Sequence, residues 1–303
     1  MSNFSYLTES ARVAFRLPDE QRIQKIISEH WIGYTRAIQV IHKLEMLCNH
    51  PVKVRMPNLL ITGPTNNGKT MIIEKFRRNQ KNIGKDNQHY TDVENIPIIF
   101  VQMPAEPSAA RFYSMLLEAI NTPFRRTNRL ADLEQMTLNI FKRVGVKILI
   151  IDELHNLLAG STQKQQVFLN LLRFLGNELR ISLVGVGTKD AYLAIRSDDQ
   201  LENRFEPQLL PRWEYGEDYL RLLASYVKTM PLRQPSIITQ PSIAEFILEK
   251  SEGTIGEIVM LLKNSAQLAI ESGEECINLN VLSKTNYLSP SQRRKMYQYE
   301  LSK

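Results

Sequence analysis

The stretch Gly63-Pro64-Thr65-Asn66-Asn67-Gly68-Lys69-Thr70 has the spacing G-x-x-x-x-G-K-[ST] of a phosphate-binding loop. An apolar run typical of a buried strand, residues 58–62, precedes it, and residues 71–76 begin a helical pattern. In that setting, backbone N–H groups and a helix dipole point at a bound phosphate. We expect Lys69 to reach the β- and γ-phosphates and Thr70 to offer its hydroxyl to Mg²⁺. The predicted nucleotide-binding residues of this loop are Gly63, Pro64, Thr65, Asn66, Asn67, Gly68, Lys69, Thr70 and Met71.

Polar residues end two later apolar runs. Residues 148–151 are aliphatic and are followed by Asp152 and Glu153. We predict that Asp152 holds Mg²⁺ through water and that Glu153 orients and deprotonates the attacking water of a nucleotide hydrolysis. The alternative is a solvated acidic turn. Thr188 follows residues 181–187 and is the candidate catalytic sensor of the γ-phosphate, with capping of the next helix as its alternative role.

Apolar strand patterns alternate with helical patterns through the first two thirds of the chain. Alternation of this kind, with nearly continuous apolar strands, predicts an α/β fold with a five-stranded parallel sheet between layers of helices. Pro97 favours an edge position, or the first residue of its strand. Every stretch from Glu217 to Thr285 is typical of helix, which predicts a small all-helical domain. The predicted strands cover residues 58–62, 96–101, 147–151, 181–187 and 208–210.

These patterns divide the chain into four predicted segments. They are an N-terminal arm with helices that pack beside the nucleotide (1–50), an α/β nucleotide-binding core (51–215), a helical lid (216–285) and a basic tail (286–303). Residues 1–17 show no firm period and are expected to form a flexible arm, and the polar residues 79–95 a surface excursion. Trp31 and Ile32 are candidates to line an adenine pocket, because flat apolar surfaces suit a purine ring. Packing of Trp31 in the core is an equal alternative.

Composition excludes several classes of protein. The 303 residues are 43% hydrophobic and 23% charged, which suits a chain with a buried core. No apolar run approaches about eighteen residues and the N-terminus lacks the pattern of a signal peptide, so we expect no membrane partner and a cytoplasmic location. Cys48 and Cys276 stand far apart, which favours reduced thiols over a disulfide or a metal site. The net charge of +6 favours a polyanionic partner.

Taken together, the phosphate loop, the acidic strand end, the threonine after the fourth strand, a following Arg-Phe pair and the helical lid resemble the AAA+ P-loop ATPases. The chain is most similar to one branch, the TniB family. This family is related to TnsC, the ATPase regulator of Tn7-like transposition. The resemblance is to target regulators of Tn7-like and Tn5053-like elements. The similarity extends from about Leu7 to Leu282. The stretches that resemble the family are Tyr6-Leu7-Thr8, Trp31-Ile32-Gly33-Tyr34, Asn58-Leu59-Leu60-Ile61, Asn66-Asn67-Gly68-Lys69-Thr70, Asp152-Glu153-Leu154-His155 and Asn203-Arg204-Phe205-Glu206-Pro207.

The resemblance implies an ATP- and Mg²⁺-dependent protein of the bacterial nucleoid. Such proteins assemble on double-stranded DNA as a hexameric or heptameric ring or as a helical filament. They recruit a DDE transposase of the TniA/TnsB type to the target site, often with a TniQ-like target selector, and ATP hydrolysis drives disassembly. The resemblance also implies that Arg204 is a catalytic residue that completes the site of a neighbouring subunit. Arg196 and Arg212 are rivals for that role, and a surface ion pair is the alternative for Arg204.

The DNA contacts implied by the resemblance lie after the second strand. The matching residues are Arg125, Arg126, Thr127 and Arg129, and Asn128 is a further possible donor to phosphate oxygens. Contacts with the phosphate backbone would position the protein without reading sequence and would weaken as salt rises. A solvated basic loop is the alternative.

The chain departs from the AAA+ pattern at one place and leaves other functions open. Most AAA+ lids have an arginine at the start of their third helix, but residues 252–257 contain none, so we expect slow hydrolysis.

The alternatives to a transposition regulator are a replicative helicase loader or replication-initiation ATPase, and an ATP-gated scaffold with little hydrolysis. Asp152-Glu153-Leu154-His155 also matches a helicase signature, but the chain lacks a second α/β domain, and Arg204 with the helical lid disfavours a small-molecule kinase. The basic run Arg293 to Tyr299 is either a transposase contact or an unstructured end.

Overall fold

The computed structural model describes residues 4–28, 30–86, 95–125 and 127–302. They form two compact units, each described separately below. The α/β unit comprises Arg36–Thr65 and Lys69–Pro211, and the helical unit comprises Met1–Thr35, Asn66–Gly68 and Arg212–Lys303.

The α/β unit is built on a five-stranded sheet. The strands are β1 (Asn58–Thr62), β2 (Ile98–Gln102), β3 (Ile148–Asp152), β4 (Ser182–Gly187) and β5 (Phe205–Leu209). Helix α3 (Thr35–Cys48) precedes β1. The helices between the strands are α4 (Lys69–Asp86), α5 (Ala109–Ala119), α6 (Leu130–Arg143), a 3₁₀ helix (Leu154–Ala159), α7 (Thr162–Leu179), α8 (Lys189–Arg196) and α9 (Asp199–Glu202).

All strand pairs are parallel, in the order β2-β3-β4-β1-β5. The predicted five-stranded parallel sheet is therefore confirmed. Strands β1, β3 and β4 are buried along their whole length, as continuous apolar runs in a sheet covered on both faces should be. Strand β2 lies at an edge, where Pro97 is tolerated. Strand β5 begins at Phe205 rather than at the predicted Gln208; it forms the other edge, where Pro207 needs no N–H partner.

Helices pack against this sheet through one apolar core. Its members include Phe112, Phe141 and Phe168, each almost fully buried, and the rings of Phe112 and Phe168 meet edge to face with centroids 5.0 Å apart. Aromatic pairs of this geometry stabilise a core by about 1 kcal/mol beyond the burial of their surface. The core fixes the sheet, and hence the positions of the polar residues at the ends of its strands.

The helical unit has a second core. Its helices are α1 (Glu9–Ala14), α2 (Asp19–Ile27), α10 (Glu217–Val227), α11 (Pro241–Ser251), α12 (Ile255–Glu271), α13 (Leu279–Lys284) and α14 (Pro290–Leu301). The core is formed by apolar side chains such as Tyr219, Leu223, Ile247 and Leu262, which recur at helical spacing. The predicted all-helical domain is thus present. None of the described helices of either unit is both long enough and apolar enough to cross a membrane.

Both ends of the chain differ from the sequence expectations. Residues expected to form a flexible arm include α1, whose N-cap Thr8 accepts a hydrogen bond from the N–H of Ala11 and donates its own N–H to the Lys228 carbonyl. Leu7 beside it is buried. At the other end, α14 begins with a capping box formed by Ser289 and Gln292, so the tail is helical. Helix α4 extends to Asp86 into the predicted excursion, of which residues 87–94 lie outside the described part of the chain.

A buried ion pair holds the N-terminal helices to the rest of the helical unit. Arg22 of α2 is completely buried and donates to both carboxylate oxygens of Glu275 and to the Pro231 carbonyl. Arg233 approaches the same carboxylate, with its Nη1 3.3 Å from Oε1. Because every polar atom of the pair has a partner, the cost of burying the two charges is offset.

Candidate active site

Lys69 begins helix α4, directly after the phosphate loop. Its ammonium donates to the carbonyls of Gly63 (2.9 Å) and Pro64 (2.7 Å). Burial lowers the pKa of Lys69, while the charges of Asp152 and Glu153 act in the opposite direction. Because these partners are neutral carbonyls of its own loop, the Lys69 ammonium is a cation that a phosphate can bind in their place.

Gly63 is required by the close approach of the next segment. A Cβ at Gly63 would lie 2.5 Å from the carbonyl oxygen of Leu210, and the N–H of Leu210 donates to the Thr62 carbonyl at 2.7 Å. The residue after β5 is therefore packed against the start of the phosphate loop, and only a glycine fits there.

The tip of the phosphate loop, Asn66–Gly68, is grouped with the helical unit. Asn66 and Gly68 both have left-handed backbones, with φ of 60° and 78°. The Asn66 carbonyl accepts from the N–H of Gly256 (3.0 Å), and the Asn67 side-chain oxygen accepts from the N–H of Ile255 (3.3 Å). The conformation of the loop tip is thus fixed by the first turn of α12.

The structure brings Thr70 and Asp152 together, as the motif predicts. The Thr70 hydroxyl donates to Oδ2 of Asp152 at 3.0 Å, and Oδ1 of Asp152 accepts from the N–H of Glu153 at 2.8 Å. Asp152 is buried at the end of β3. A hydroxyl beside a carboxylate provides the oxygen ligands that Mg²⁺ prefers. Among the described residues, no group of three or more His, Cys, Asp or Glu side chains is arranged to hold a metal ion.

Glu153 occupies a left-handed backbone conformation, with φ 55° and ψ 35°. Such a conformation costs a non-glycine residue on the order of 1 kcal/mol and is common at functional sites. Its Oε2 lies 3.2 Å from Nε2 of His155, and the other ring nitrogen of His155 is buried without a partner among the described residues. The sequence pattern alone does not predict the contact between Glu153 and His155. His155 does lie two positions after Glu153, in the stretch that resembles the family.

Thr188 follows β4, and its side chain caps helix α8. Its hydroxyl oxygen accepts from the N–H of Asp190 at 3.4 Å. This is the contact expected from its alternative role, and its catalytic role stays a prediction.

Arg204 differs from its two rivals in its partners. It donates to the neutral side chain of Asn177 (2.8 Å), and no carboxylate of the described residues lies within ion-pair distance of it. Burial lowers the pKa of Arg204, and the nearby cations Arg55 and Arg173 lower it further. Arg196, in contrast, lies 4.0 Å from the carboxylate of Glu202, and Arg212 donates to the carbonyl of Glu252. The surface ion pair considered for Arg204 is not what the described residues form.

The adenine and DNA candidates lie on different elements. Ile32 packs against the core of the helical unit and Trp31 beside it is half-buried. Arg125, Thr127 and Arg129 are exposed in the loop between α5 and α6, and Arg126 lies outside the described residues. Asn128 is used within the loop, because its side-chain oxygen accepts from the N–H of Arg125 at 3.1 Å.

A phosphate loop between β1 and α4, an acidic end of β3 and a sheet of this strand order define the class of the fold as an AAA+ P-loop NTPase. The chain belongs to the TniB family: the family model described as bacterial TniB protein matches residues 22–215. By sequence, no individual curated protein matches the chain.

Solved structures of similar fold come from origin-recognition proteins. The ORC2 protein of Aeropyrum pernix, in ADPNP–ADP complexes, has a TM-score of 0.62 at 16% identity over 86% of this chain and 71% of its own. The Aeropyrum pernix ORC1 protein in complex with DNA has a TM-score of 0.59 at 15% identity, covering 90% of this chain and 69% of its own. The Drosophila ORC bound to DNA has a TM-score of 0.61 at 12% identity, covering 89% of this chain and 65% of its own. At these identities the similarity concerns the fold.

Proposed function

We propose that this chain is an ATPase that assembles on duplex DNA and recruits a DDE transposase to a target site, as a transposition regulator. The observation that supports the proposal most directly is the contact of Thr70 with Asp152, beside Glu153, in a chain of the TniB family. These three oxygen-bearing side chains and Lys69 are of the types that ATP hydrolysis uses.

The nucleotide would be held mainly by the phosphate loop. Lys69 would exchange its two carbonyl partners for phosphate oxygens, and the backbone N–H groups at the start of α4 would face the phosphates. Thr70 and Asp152 would hold Mg²⁺, which when bound neutralises charge on the phosphates. The ADPNP–ADP complexes of ORC2 from Aeropyrum pernix support nucleotide binding by this fold.

Hydrolysis would depend on Glu153 and Arg204. Glu153 has its carboxylate near solvent, with 41% of the side chain exposed, and would orient the attacking water and accept its proton. Arg204, which has no carboxylate partner among the residues that the structure describes, would reach the nucleotide of a neighbouring copy and stabilise charge that develops on the phosphates. Coupling of hydrolysis to assembly would follow, because each site is completed only by a neighbour.

Duplex DNA would be bound through its phosphates. The exposed Arg125 and Arg129, with Thr127 between them, lie in one loop, and the whole chain has a net charge of +6. The similar fold of ORC1 in complex with DNA supports this class of partner.

The family resemblance supplies the other parts of the proposal. These are assembly as a ring or filament, the TniA/TnsB-like transposase and the TniQ-like selector. Turnover should be slow because residues 252–257 contain no arginine.

A replication-initiation or helicase-loading ATPase is the second candidate. The origin-recognition proteins share the fold at TM-scores near 0.6. The TniB match over residues 22–215 favours the transposition regulator. Both candidate functions would use the same nucleotide-binding residues, so only the binding partners distinguish one function from the other.

The test is a comparison of binding and turnover in two variants. Lys69→Ala should abolish both nucleotide binding and hydrolysis, whereas Glu153→Gln should bind ATP and lose turnover by at least a hundredfold. Fluorescent-nucleotide binding and phosphate release measure the two properties, and Lys53→Ala, at an exposed position, is the control for loss of a positive charge. Hydrolysis by Lys69→Ala at the wild-type rate would contradict the proposal.

A further inference from the structure

Glu257 is a buried carboxylate that accepts hydrogen bonds from three separate segments of the helical unit. Its side chain is 8% exposed. Oε1 accepts from Nδ2 of Asn66 (3.2 Å) in the loop tip and from Nη2 of Arg293 (2.6 Å) in α14. Oε2 accepts from the hydroxyl of Tyr287 (2.7 Å), which precedes α14. One side chain thus joins the phosphate loop to the C-terminal helix.

The loop tip also serves as the cap of helix α12. Thr254, at the N-cap position, makes no side-chain cap bond. The first N–H groups of the helix instead meet the loop tip, at the Asn67 side chain and the Asn66 carbonyl. A helix N-terminus needs such acceptors, because its first N–H groups have no partner within the helix. The loop tip and the first turn of α12 are therefore joined by two hydrogen bonds.

Gly256 and Asn66 approach each other closely. A Cβ on Gly256 would lie 1.9 Å from the side-chain oxygen of Asn66. The Asn66 side chain is held on the other side by Glu257, and its backbone is already left-handed. Because Asn66 donates directly to Glu257, we expect a change in the position of Glu257 to affect Asn66.

Helix α14 makes polar contacts with the unit near this turn. None of its residues is buried. Arg293 binds Glu257, and the N–H of Ser291 donates to Oε1 of Glu252 at 2.7 Å. Both acceptors flank the start of α12. A helix without buried residues belongs to the less stable part of a fold, where small free energies change its position.

The charge of the cluster depends on Arg293. The hydrogen bond from Arg293 to Glu257 raises the pKa of Arg293, and burial, followed by the hydrogen bond to Glu257, raises the pKa of Tyr287. Without Arg293, the carboxylate would keep only neutral donors in a buried place, which is costly. The start of α12 contains no arginine, but Arg293 of α14 places a cation beside it.

We propose that Glu257 is a positioning residue that couples the phosphate loop to helix α14, so that nucleotide binding is communicated to the C-terminal helix. This inference rests on the proposed nucleotide-binding function. Because coupling is reciprocal, contacts of α14 with Glu257 also tune nucleotide affinity. A partner that engages the exposed side of α14 would then alter nucleotide binding without touching the nucleotide.

Hydrogen exchange of the full chain, with and without a non-hydrolysable ATP analogue and Mg²⁺, tests the coupling. We expect slower exchange in residues 63–70 and, in the same sample, a changed rate in residues 290–301. In Glu257→Gln the response of residues 63–70 should remain and that of residues 290–301 should disappear. Protection of the loop without any response of α14 in the wild type would overturn the inference. No protection of the loop at all would instead overturn the proposed function.

Affinity measurements test the reciprocal direction. Arg293→Ala should weaken binding of a fluorescent ATP analogue about fivefold or more. Arg293→Lys should recover part of the loss, and Lys295→Ala, an exposed charge on the same helix, should bind like the wild type. Thermal unfolding without nucleotide separates coupling from general damage. A lowered melting temperature for Arg293→Ala with unchanged nucleotide affinity would overturn the inference.

Discussion

At the scale of single residues, Lys69 shows how the site is prepared for an anion. Its ammonium is partly desolvated and is bound by two carbonyls, which are dipoles rather than charges. Burial favours its neutral form, as the lowered pKa indicates. A phosphate would offer full negative charge in the same place, so binding relieves an unfavourable state of the protein. The loss of Lys69 should thus affect nucleotide binding more than folding.

Glu153 and His155 form the second feature at this scale. The left-handed backbone at Glu153 turns its side chain toward His155. The Asp152-Glu153 pair was identified from sequence because acidic residues have no packing reason to follow a buried strand. The contact with His155 was not identified, since it depends on the turn into the 3₁₀ helix, which only the structure shows.

Arg204 provides a test by mixing subunits. Arg204→Ala should bind nucleotide normally and lose turnover by about a thousandfold, because the guanidinium would act on a neighbour's nucleotide. Adding the Lys69→Ala variant, which supplies Arg204 but has no working site, should restore part of the turnover. Arg196→Ala, already near the Glu202 carboxylate, should have little effect. Full activity of Arg204→Ala, measured by phosphate release, would assign the role elsewhere.

At the scale of elements, the sheet and the phosphate loop were predictable and the ends of the chain were not. Strands β1, β3 and β4 are buried on both faces, so each has a continuous apolar run that can be recognised in the sequence. Helix α1 has six residues, too few for a helical period, and its N-cap Thr8 and the preceding Tyr6 contact residues more than two hundred positions away. Contacts between the loop tip and α12 likewise join residues about 190 positions apart, which no local pattern encodes.

The loop between α5 and α6 should dominate DNA binding. Arg125 and Arg129 are exposed and could each neutralise one phosphate. The double variant Arg125→Ala/Arg129→Ala should reduce the slope of log affinity against log salt by about two, and weaken binding uniformly across sequences. Arg111→Ala, an exposed arginine of α5, is the control. Fluorescence anisotropy at several salt concentrations measures both, and an unchanged slope would make the loop merely a solvated basic segment.

At the scale of the whole molecule, the chain has an excess of positive charge, whereas the buried positive charge of its helical unit is neutralised. The excess of six positive charges favours association with a polyanion. Inside the helical unit, in contrast, positive charge is neutralised: Arg22 and Arg233 share the carboxylate of Glu275. Removing Arg22 should therefore lower the free energy of unfolding by about 3 kcal/mol or more, because Glu275 would lose its main partner.

The same pair predicts a dependence of stability on pH. Burial tends to raise the pKa of Glu275, but its hydrogen bonds from Arg22 and from the N–H of Arg233 outweigh that effect and the pKa is lowered from 4.5. A lowered pKa in the folded state adds stability above the unfolded value, and this stability is lost as the pH falls from about 4.5 through the lower, folded pKa. Glu275→Gln should be less stable at pH 7 and should show a smaller loss of stability between pH 5 and pH 3. Denaturant unfolding at several pH values measures this, and parallel pH profiles for both proteins would refute it.

The most direct test of the central claim is assembly on DNA. Purified protein would be imaged by negative-stain electron microscopy with duplex DNA, either with a non-hydrolysable ATP analogue or without nucleotide, and Lys69→Ala would serve as the control. We predict rings or filaments on DNA with the analogue, and none without it or with Lys69→Ala. Monomers under all conditions would contradict it, and would remove both the role of Arg204 on a neighbour and the role of Arg125 and Arg129 in DNA binding.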